Sequence, residues 1–373
     1  MKIFNCLSVV FIFICCVVIS PAICDVPAYR LVDLGLQESD QSEAVAINDN
    51  GQVAGFYWML GTKYFFIWDE KAGISLIDLP QSATIKALNN FGHIAGNYKD
   101  STGNDCGFLW DNVYGFYDIG SLGGGFTQVY DMNDLGQIVG ESECAKVSVV
   151  DGQKERHAFL WTWWNMVDLG TLPGDLGLPG DRSIATGINN RGQIIGAANF
   201  TIAHKAKLLR SEQRAVIWND GNIEEFNESF DGNQELLSIN DAGFVTSRIN
   251  CPRSPYHPNF PSSGCCIIDT VSRCMWNISI GNDDFVQINN NGSVLSKQWL
   301  CFFQPTPYEN HSNKCLGVDM REPIANLFII KQTKPWRDFC RAYDMNNNNW
   351  IVGTADNIYG EIHAVLLVPI VKQ

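Results

Sequence analysis

Ile188-Asn189-Asn190-Arg191-Gly192-Gln193-Ile194-Ile195-Gly196 is the stretch on which the reading of this chain turns. Its pattern is an apolar residue, Asn, two further residues, Gly, a polar residue and an apolar pair. Further copies begin at Ile47-Asn48, Leu88-Asn89, Met132-Asn133, Ile239-Asn240, Ile288-Asn289 and Met345-Asn346. Every copy keeps the Asn, and only Asn349 replaces the Gly. Gly and Asn accept positive φ more readily than other residues, so this position reads as the left-handed residue of a tight hairpin turn. The unit is strand, turn, strand.

A third strand follows the hairpin, seen as Phe66-Ile67-Trp68, Phe108-Leu109-Trp110, Phe159-Leu160-Trp161 and Val216-Ile217-Trp218. A fourth comes next, as in Leu76-Ile77-Asp78, Phe116-Tyr117-Asp118 and Met166-Val167-Asp168. Four short strands per repeat make a propeller blade. The asparagines at 48, 89, 133, 189, 240, 289 and 346 lie 41 to 57 residues apart, a spacing that suits blades with loops of variable length. The expected fold is therefore an all-β, seven-bladed propeller spanning residues 25–373 as one domain. Residues 29–35 match a fourth strand before any blade has begun, and the last repeat ends after its third strand at 363–367. Pairing of the two segments would complete the last blade and leave no open edge.

Lys2 and the apolar run from Leu7 to Ile19, followed by Ser20-Pro21-Ala22-Ile23-Cys24, read as a signal peptide over residues 1–24. The run is too short for the roughly 20 apolar residues of a spanning helix. The chain is expected to be exported, to a periplasmic, cell-surface or extracellular location, as a monomer not inserted in a membrane after cleavage. A net charge of −14 argues against nucleic acid and anionic membranes as partners, because both require a basic face.

His157-Ala158-Phe159-Leu160-Trp161, the following Met166 to Leu172, and Ile188 to Gly196 together resemble the bacterial HAF repeat, named for His-Ala-Phe. The resemblance covers nearly the whole mature chain. It weakens in the fifth and sixth repeats, where Cys266-Ile267-Ile268-Asp269 and Leu316-Gly317-Val318-Asp319 stand for the aromatic third strand. It implies an exported repeat protein and supplies no catalytic residues.

In a propeller the strand one-to-two and three-to-four turns share one face, and the other connections share the opposite face. The long insertions fall on the latter: 141–156, 199–213, 250–264 and 297–313, with the inter-blade segments 171–183 and 331–341. Binding is expected there, over blades three to six. Tyr256, Phe260, Trp299, Phe302, Tyr308 and Trp336 are the candidate contacts, since exposed loop aromatics suit a carbohydrate or protein surface. Cys251 with Cys265 and Cys301 with Cys315 bracket equivalent insertions and are candidate disulfides, with Cys106 and Cys144 as a third pair. No Cys-x-x-Cys or paired Cys-His spacing marks a metal site, and no cofactor is expected. The turn asparagines could suggest calcium, but turn geometry explains them better.

The sequence favours a binding module over an enzyme. Glu143, Asp175 and Asp181 are the acids best placed for a rival carbohydrate-active enzyme, a glycosidase or lyase working on the loop face. An envelope scaffold without a small ligand is the third alternative.

Overall fold

The computed structural model describes residues 28–370 apart from 37–38, 175–178, 204–208, 227–232, 251–262, 273–274, 279–285, 297–298, 303–319 and 324–335. Residues 1–27, which include the expected signal peptide, also lie outside that description. The described chain is all-β in a propeller-like arrangement.

β1 (Tyr29–Asp33) precedes the first repeat. β2 (Gln41–Ile47), β3 (Val53–Met59), β4 (Thr62–Asp69) and β5 (Gly73–Ile77) form one four-stranded sheet in chain order. The next is β6 (Thr84–Leu88), β7 (Ile94–Lys99), β8 (Asp105–Asp111) and β9 (Gly115–Asp118). Then come β10 (Gly123–Met132), β11 (Ile138–Val147), β12 (Lys154–Thr162) and β13 (Asn165–Asp168), and β14 (Pro179–Ile188), β15 (Ile194–Ala203), β16 (Leu209–Asn219) and β17 (Asn222–Glu225). β18 (Asn233–Ile239), β19 (Phe244–Asn250), β20 (Ser263–Asp269) and β21 (Met275–Ile278) form a further sheet, as do β22 (Val286–Ile288), β23 (Ser293–Ser296), β24 (Trp299–Phe302) and β25 (Met320–Pro323). β26 (Trp336–Met345), β27 (Ile351–Asn357) and β28 (Ile362–Pro369) complete the series. β1 pairs antiparallel with β28, Tyr29 opposite Pro369 and Asp33 opposite Val365.

The repeat count leads one to expect seven separate sheets, whereas the ladders give six. The long strands β12 and β14 run side by side at their first residues, and one parallel bridge, Arg156 with Arg182, merges β10 to β17 into an eight-stranded sheet. The sixth repeat also departs from expectation. Its third strand is β24, directly after β23, and not Leu316 to Asp319, so the long connection there joins strands three and four. The local pattern misled because β24 lacks the Phe-x-Trp order of the earlier third strands.

The core lies between neighbouring sheets. Phe65, Ile77, Ile85, Ile94 and Phe108 form one such layer, and Val139, Ala158, Ile188, Val216 and Trp218 another. Fully burying a side chain such as Phe108 or Phe159 stabilises by roughly 1.5–3 kcal/mol. The in-register tryptophans bridge sheets: Trp218 packs in the second layer and donates from Nε1 to the Leu169 carbonyl of the preceding repeat at 3.0 Å.

The glycine that closes the nine-residue unit is fixed by a close approach. A β-bulge between Val129 and Asp131 swings the first strand over the second, so that a Cβ on Gly140 would sit 1.9 Å from the Gln128 carbonyl oxygen. Gly196 meets the Ile184 carbonyl at the same 1.9 Å. Register shifts of this kind occur in β2, β6, β10, β14, β18 and β26.

Candidate functional site

The repeated turns assemble into two closed rings of hydrogen bonds. In each turn the Asn side chain accepts, through Oδ1, the backbone N–H four residues on, as Gln193 does to Asn189 at 3.0 Å. Its Nδ2 donates to the Asn carbonyl of the next turn. The series runs from Asn48 to Asn89, Asn133, Asn189, Asn240, Asn289 and Asn346, and Asn346 returns to Asn48 at 3.0 Å. The second ring uses the following residue, where each backbone N–H meets the side-chain oxygen of the next turn, from Asp49 round to Asn347 and back to Asp49.

This second ring explains the choice between Asp and Asn. A carboxylate only accepts, and an amide also donates. Asp49, Asp134 and Asp241 each accept from the Nδ2 groups of two neighbouring asparagines: Asn90 and Asn347, Asn90 and Asn190, Asn190 and Asn290. The turn oxygens are thus taken by N–H groups, which accounts for these residues without calcium.

Inside the rings lies a central cavity of about 350 Å³, lined by first-strand residues. Of the carboxylates that line it, Asp131 and Asp344 stand on first strands. Asp131 Oδ2 accepts the Ile188 N–H at 3.0 Å, and Asp344 Oδ2 accepts the Ile47 N–H at 2.8 Å. Each serves a backbone donor of the following repeat. Burial, with Asp344 adding repulsion, pushes the Asp131 carboxyl up to about 7, and burial also raises Asp344. Lys86 lines the same cavity, and burial lowers its ammonium.

Beside the ring mouth lies a surface that the sequence reading passed over. Trp163 and Trp164 are the two central residues of the β12–β13 hairpin, between the paired Thr162 and Asn165. Both have positive φ, 33° and 84°. The equivalent turn of the next repeat holds Asp220-Gly221, and a two-residue turn of the same φ signs between β3 and β4 holds Leu60-Gly61. A left-handed non-glycine residue costs about 1–3 kcal/mol, yet these indoles stay 48% and 67% exposed. Trp163 donates from Nε1 to the Leu135 carbonyl at 3.2 Å and meets His93 edge-on at 5.6 Å. His93 stacks with Phe91, and Trp164 meets Tyr117, itself against Tyr114. Phe91 is 71% exposed and Tyr114 72%. Burial holds His93 below the ordinary imidazole value, which keeps the shelf uncharged at its centre. A hairpin whose φ values ask for Asn-Gly but whose residues are Trp-Trp was the available signal.

Of the residues expected on the loop face, those described stand in strands or hold strands and turns together. Trp336 belongs to β26, packs against the core and meets His363 edge-on at 5.6 Å. Trp299 and Phe302 belong to β24 and not to an insertion. Tyr256, Phe260, Tyr308 and Asp175 lie outside the described residues. Glu143 Oε2 accepts the Gly125 N–H at 2.8 Å, and Asp181 accepts from Asn199 at 3.0 Å and Ser148 at 3.2 Å, so both acids hold strands and turns together. Cys106 and Cys144 are free thiols, not a disulfide. Cys106 lies beside Tyr98 and Asp118 of its own sheet, whereas Cys144 faces His157, so the two thiols serve different sheets. Cys251 and Cys315 lie outside the described residues, and so does the Cys301 side chain, which leaves those two pairings there as well.

Two of the fourth-strand acids pair with the third strand of their own repeat, whereas Asp118 accepts from Tyr98 of the second strand. Arg214 meets Glu225 at 3.3 Å, and His157 Nδ1 meets Asp168 at 2.9 Å. At His157 a third group joins: Cys144 Sγ, a His157 ring nitrogen and an Asp168 oxygen all lie within 4.8 Å of one another. Burial works against a charged His157, yet Asp168 and Cys144 push the imidazole up to about 10, and His157 in turn helps hold Asp168 low against its own burial.

Neither a family model nor a curated relative matches the chain. Among solved structures it is similar to a streptogramin B lyase, at 10% identity and a TM-score of 0.42 over 91% of this chain and 98% of that one. A gluconolactonase from Xanthomonas campestris is similar at 14% identity and 0.36, over 75% and 92%. TolB from Acinetobacter baumannii is similar at 9% and 0.36, over 82% and 75%.

Proposed function

We propose that this chain is an exported, seven-bladed propeller of the HAF-repeat kind that works as a carbohydrate-binding module, with β10–β13 and β14–β17 counted as two blades and β1 completing the last. The bound surface is the shelf of Trp163, Trp164, Tyr117, Phe91 and His93 on the turn face. The strained Trp163-Trp164 turn carries this reading. The contacts of Trp163 with Leu135, Gly136 and His93 and of Trp164 with Tyr117 offset only part of what two left-handed, exposed indoles cost, so their use lies in what stacks on them. A sugar ring offers an apolar face to the indoles. An uncharged shelf on an acidic chain favours a neutral saccharide.

The test is the double substitution Trp163→Asn with Trp164→Gly, which installs the preferred turn. Calorimetric titration with neutral oligosaccharides is expected to show binding by the unaltered chain and at least a tenfold loss in the variant. Equal binding by both chains would remove the shelf from the reading. Capture of a protein surface by the same shelf, with no saccharide bound, would turn it to a protein-binding module.

One observation favours the enzymatic alternative. Asp131 faces the central cavity with a carboxyl near neutrality, the state a general acid requires. Turnover of a saccharide that Asp131→Asn abolishes while binding persists would establish that reading over the binder.

A further inference from the structure

We propose that Cys144, His157 and Asp168 form a zinc site at the end of the third repeat remote from the Asn rings, with three protein ligands and the fourth position open to solvent. Three neighbouring strands deliver the ligands: Cys144 from β11, His157 from β12 and Asp168 from the last position of β13. Ser142 stands opposite His157 in the ladder, and Cys144 lies two residues further along β11, on the same face. Asp168 is opposite Phe159, two residues from His157, so the three side chains cross one surface in a row.

Their donor atoms span 4.8 Å or less. Tetrahedral zinc with a Zn–S bond of about 2.3 Å and Zn–N and Zn–O bonds of about 2.0–2.1 Å sets donors about 3.3–3.6 Å apart, so on binding the Cys144 sulfur draws in and the 2.9 Å His157 Nδ1–Asp168 contact opens. Thiolate, imidazole and carboxylate are a donor set that zinc accepts. Zinc, being redox-inert, does not change oxidation state on binding. One proton leaves the Cys144 thiol as the Zn–S bond forms, and any proton on the bound His157 nitrogen leaves too, both to solvent.

A second observation separates this place from an ordinary cross-strand pair. His157 is buried, its side chain 4% exposed, and its Nε2 makes no hydrogen bond. The nearest carboxylate oxygen to Nε2, Glu155 Oε2, stands at 3.3 Å outside hydrogen-bond alignment. In the next repeat the same positions hold Phe200, Arg214 and Glu225, where the guanidinium lies 5.1 Å from the Phe200 ring and bonds the acid. That guanidinium bonds both Glu225 and Glu212, whereas the third repeat carries a thiol, an imidazole and a carboxylate at the three positions. Asp168, 37% exposed, leaves the site accessible from solvent.

This inference is independent of the carbohydrate reading, and its test uses metal alone. The reduced, chelator-treated full chain is titrated with Co²⁺ and then with Zn²⁺. We expect a thiolate-to-cobalt charge-transfer band and tetrahedral visible bands, saturating at one equivalent and displaced by Zn²⁺. Cys144→Ser, close in shape to the native residue, should lose the charge-transfer band. Asp168→Asn, at a partly exposed position, should weaken Zn²⁺ binding at least tenfold, with the zinc-induced rise in melting temperature read against the variant's own metal-free value. Absence of the charge-transfer band in the unaltered chain, its persistence in Cys144→Ser, or Zn²⁺ affinity unaltered in Asp168→Asn would each overturn the site.

Discussion

The Asn rings and the Trp163-Trp164 turn lie on the same face and obey opposite rules. In the rings every residue suits its local conformation: the left-handed position holds Gly six times, from Gly51 at 80° to Gly292 at 80°, and Asn349 at 59° once. The Asn that opens each turn donates from Nδ2 to the carbonyl of the next turn. In the β12–β13 turn the φ values are those of Asp220-Gly221, at 49° and 79°, yet both positions carry large indoles. A feature repeated in every copy and locally favourable builds the frame. One that appears once and is locally unfavourable marks a place retained for another purpose.

Substitutions can break that contrast from the frame side, where effects are largest. Gly140→Ala would drive a Cβ into the Gln128 carbonyl and the Phe159 ring, neither of which can retreat without opening the ladder. Loss of cooperative folding, or destabilisation of more than about 4 kcal/mol, is expected in chemical denaturation. A folded variant within 1 kcal/mol of the native chain would mean that the bulge relaxes freely.

Asn189→Ala comes next. It leaves the Gln193 and Arg191 N–H groups without the Asn189 oxygen and removes one of the two donors to the Asn240 carbonyl, which keeps the Gly243 N–H. At about 1–3 kcal/mol for each unsatisfied buried group, a loss of about 2–5 kcal/mol is expected. Loss below 1 kcal/mol in the same denaturation measurement would show that water replaces the amide and that the ring is not cooperative.

The cavity carboxylates give a smaller, pH-dependent effect. With its folded value raised to about 7 from an unfolded value near 3.8, Asp131 holds an extra proton in the folded state between those limits. Its contribution to stability is fully present below pH 3.8 and is lost as pH rises through 7. Stability should fall by on the order of 1 kcal/mol per pH unit between pH 5 and 7. Asp131→Asn should flatten that slope, leaving the part due to Asp344. A slope identical to that of the native chain would show that Asp131 does not titrate there.

The smallest effect sharpens the comparison. Trp163→Asn with Trp164→Gly removes the left-handed strain, at about 1 kcal/mol or more, and also the contacts to Tyr117 and His93. Thermal unfolding should therefore shift upward or stay within about 1 kcal/mol of the native chain, even as saccharide binding is lost. A large destabilisation would reassign the indoles to the frame.

The turn asparagines, the left-handed glycines and the four-strand period could all be read in one dimension, because each is a local demand of a hairpin repeated at a regular interval. Their partners could not. The alternation of Asp49, Asn90, Asp134, Asn190 and Asp241 looks arbitrary in sequence and becomes a donor–acceptor series only when turns 41 to 57 residues apart stand side by side. The sixth repeat departs from its sequence reading where the Phe-x-Trp signal gives out, since a four-residue apolar strand such as β24 carries no period that separates it from a loop.

Strand order, turn chemistry and the acidic, repeat-built character of the chain were thus determined by the sequence itself, through short-range φ preferences and apolar periodicity. Tertiary structure alone decided which side chains meet: Trp163 with His93, 70 residues apart in sequence, Asp131 with the Ile188 amide, and Cys144 with His157 and Asp168. The physical reason is that a sheet brings together residues by register and by the stacking of neighbouring sheets, and neither is encoded in the spacing along the chain.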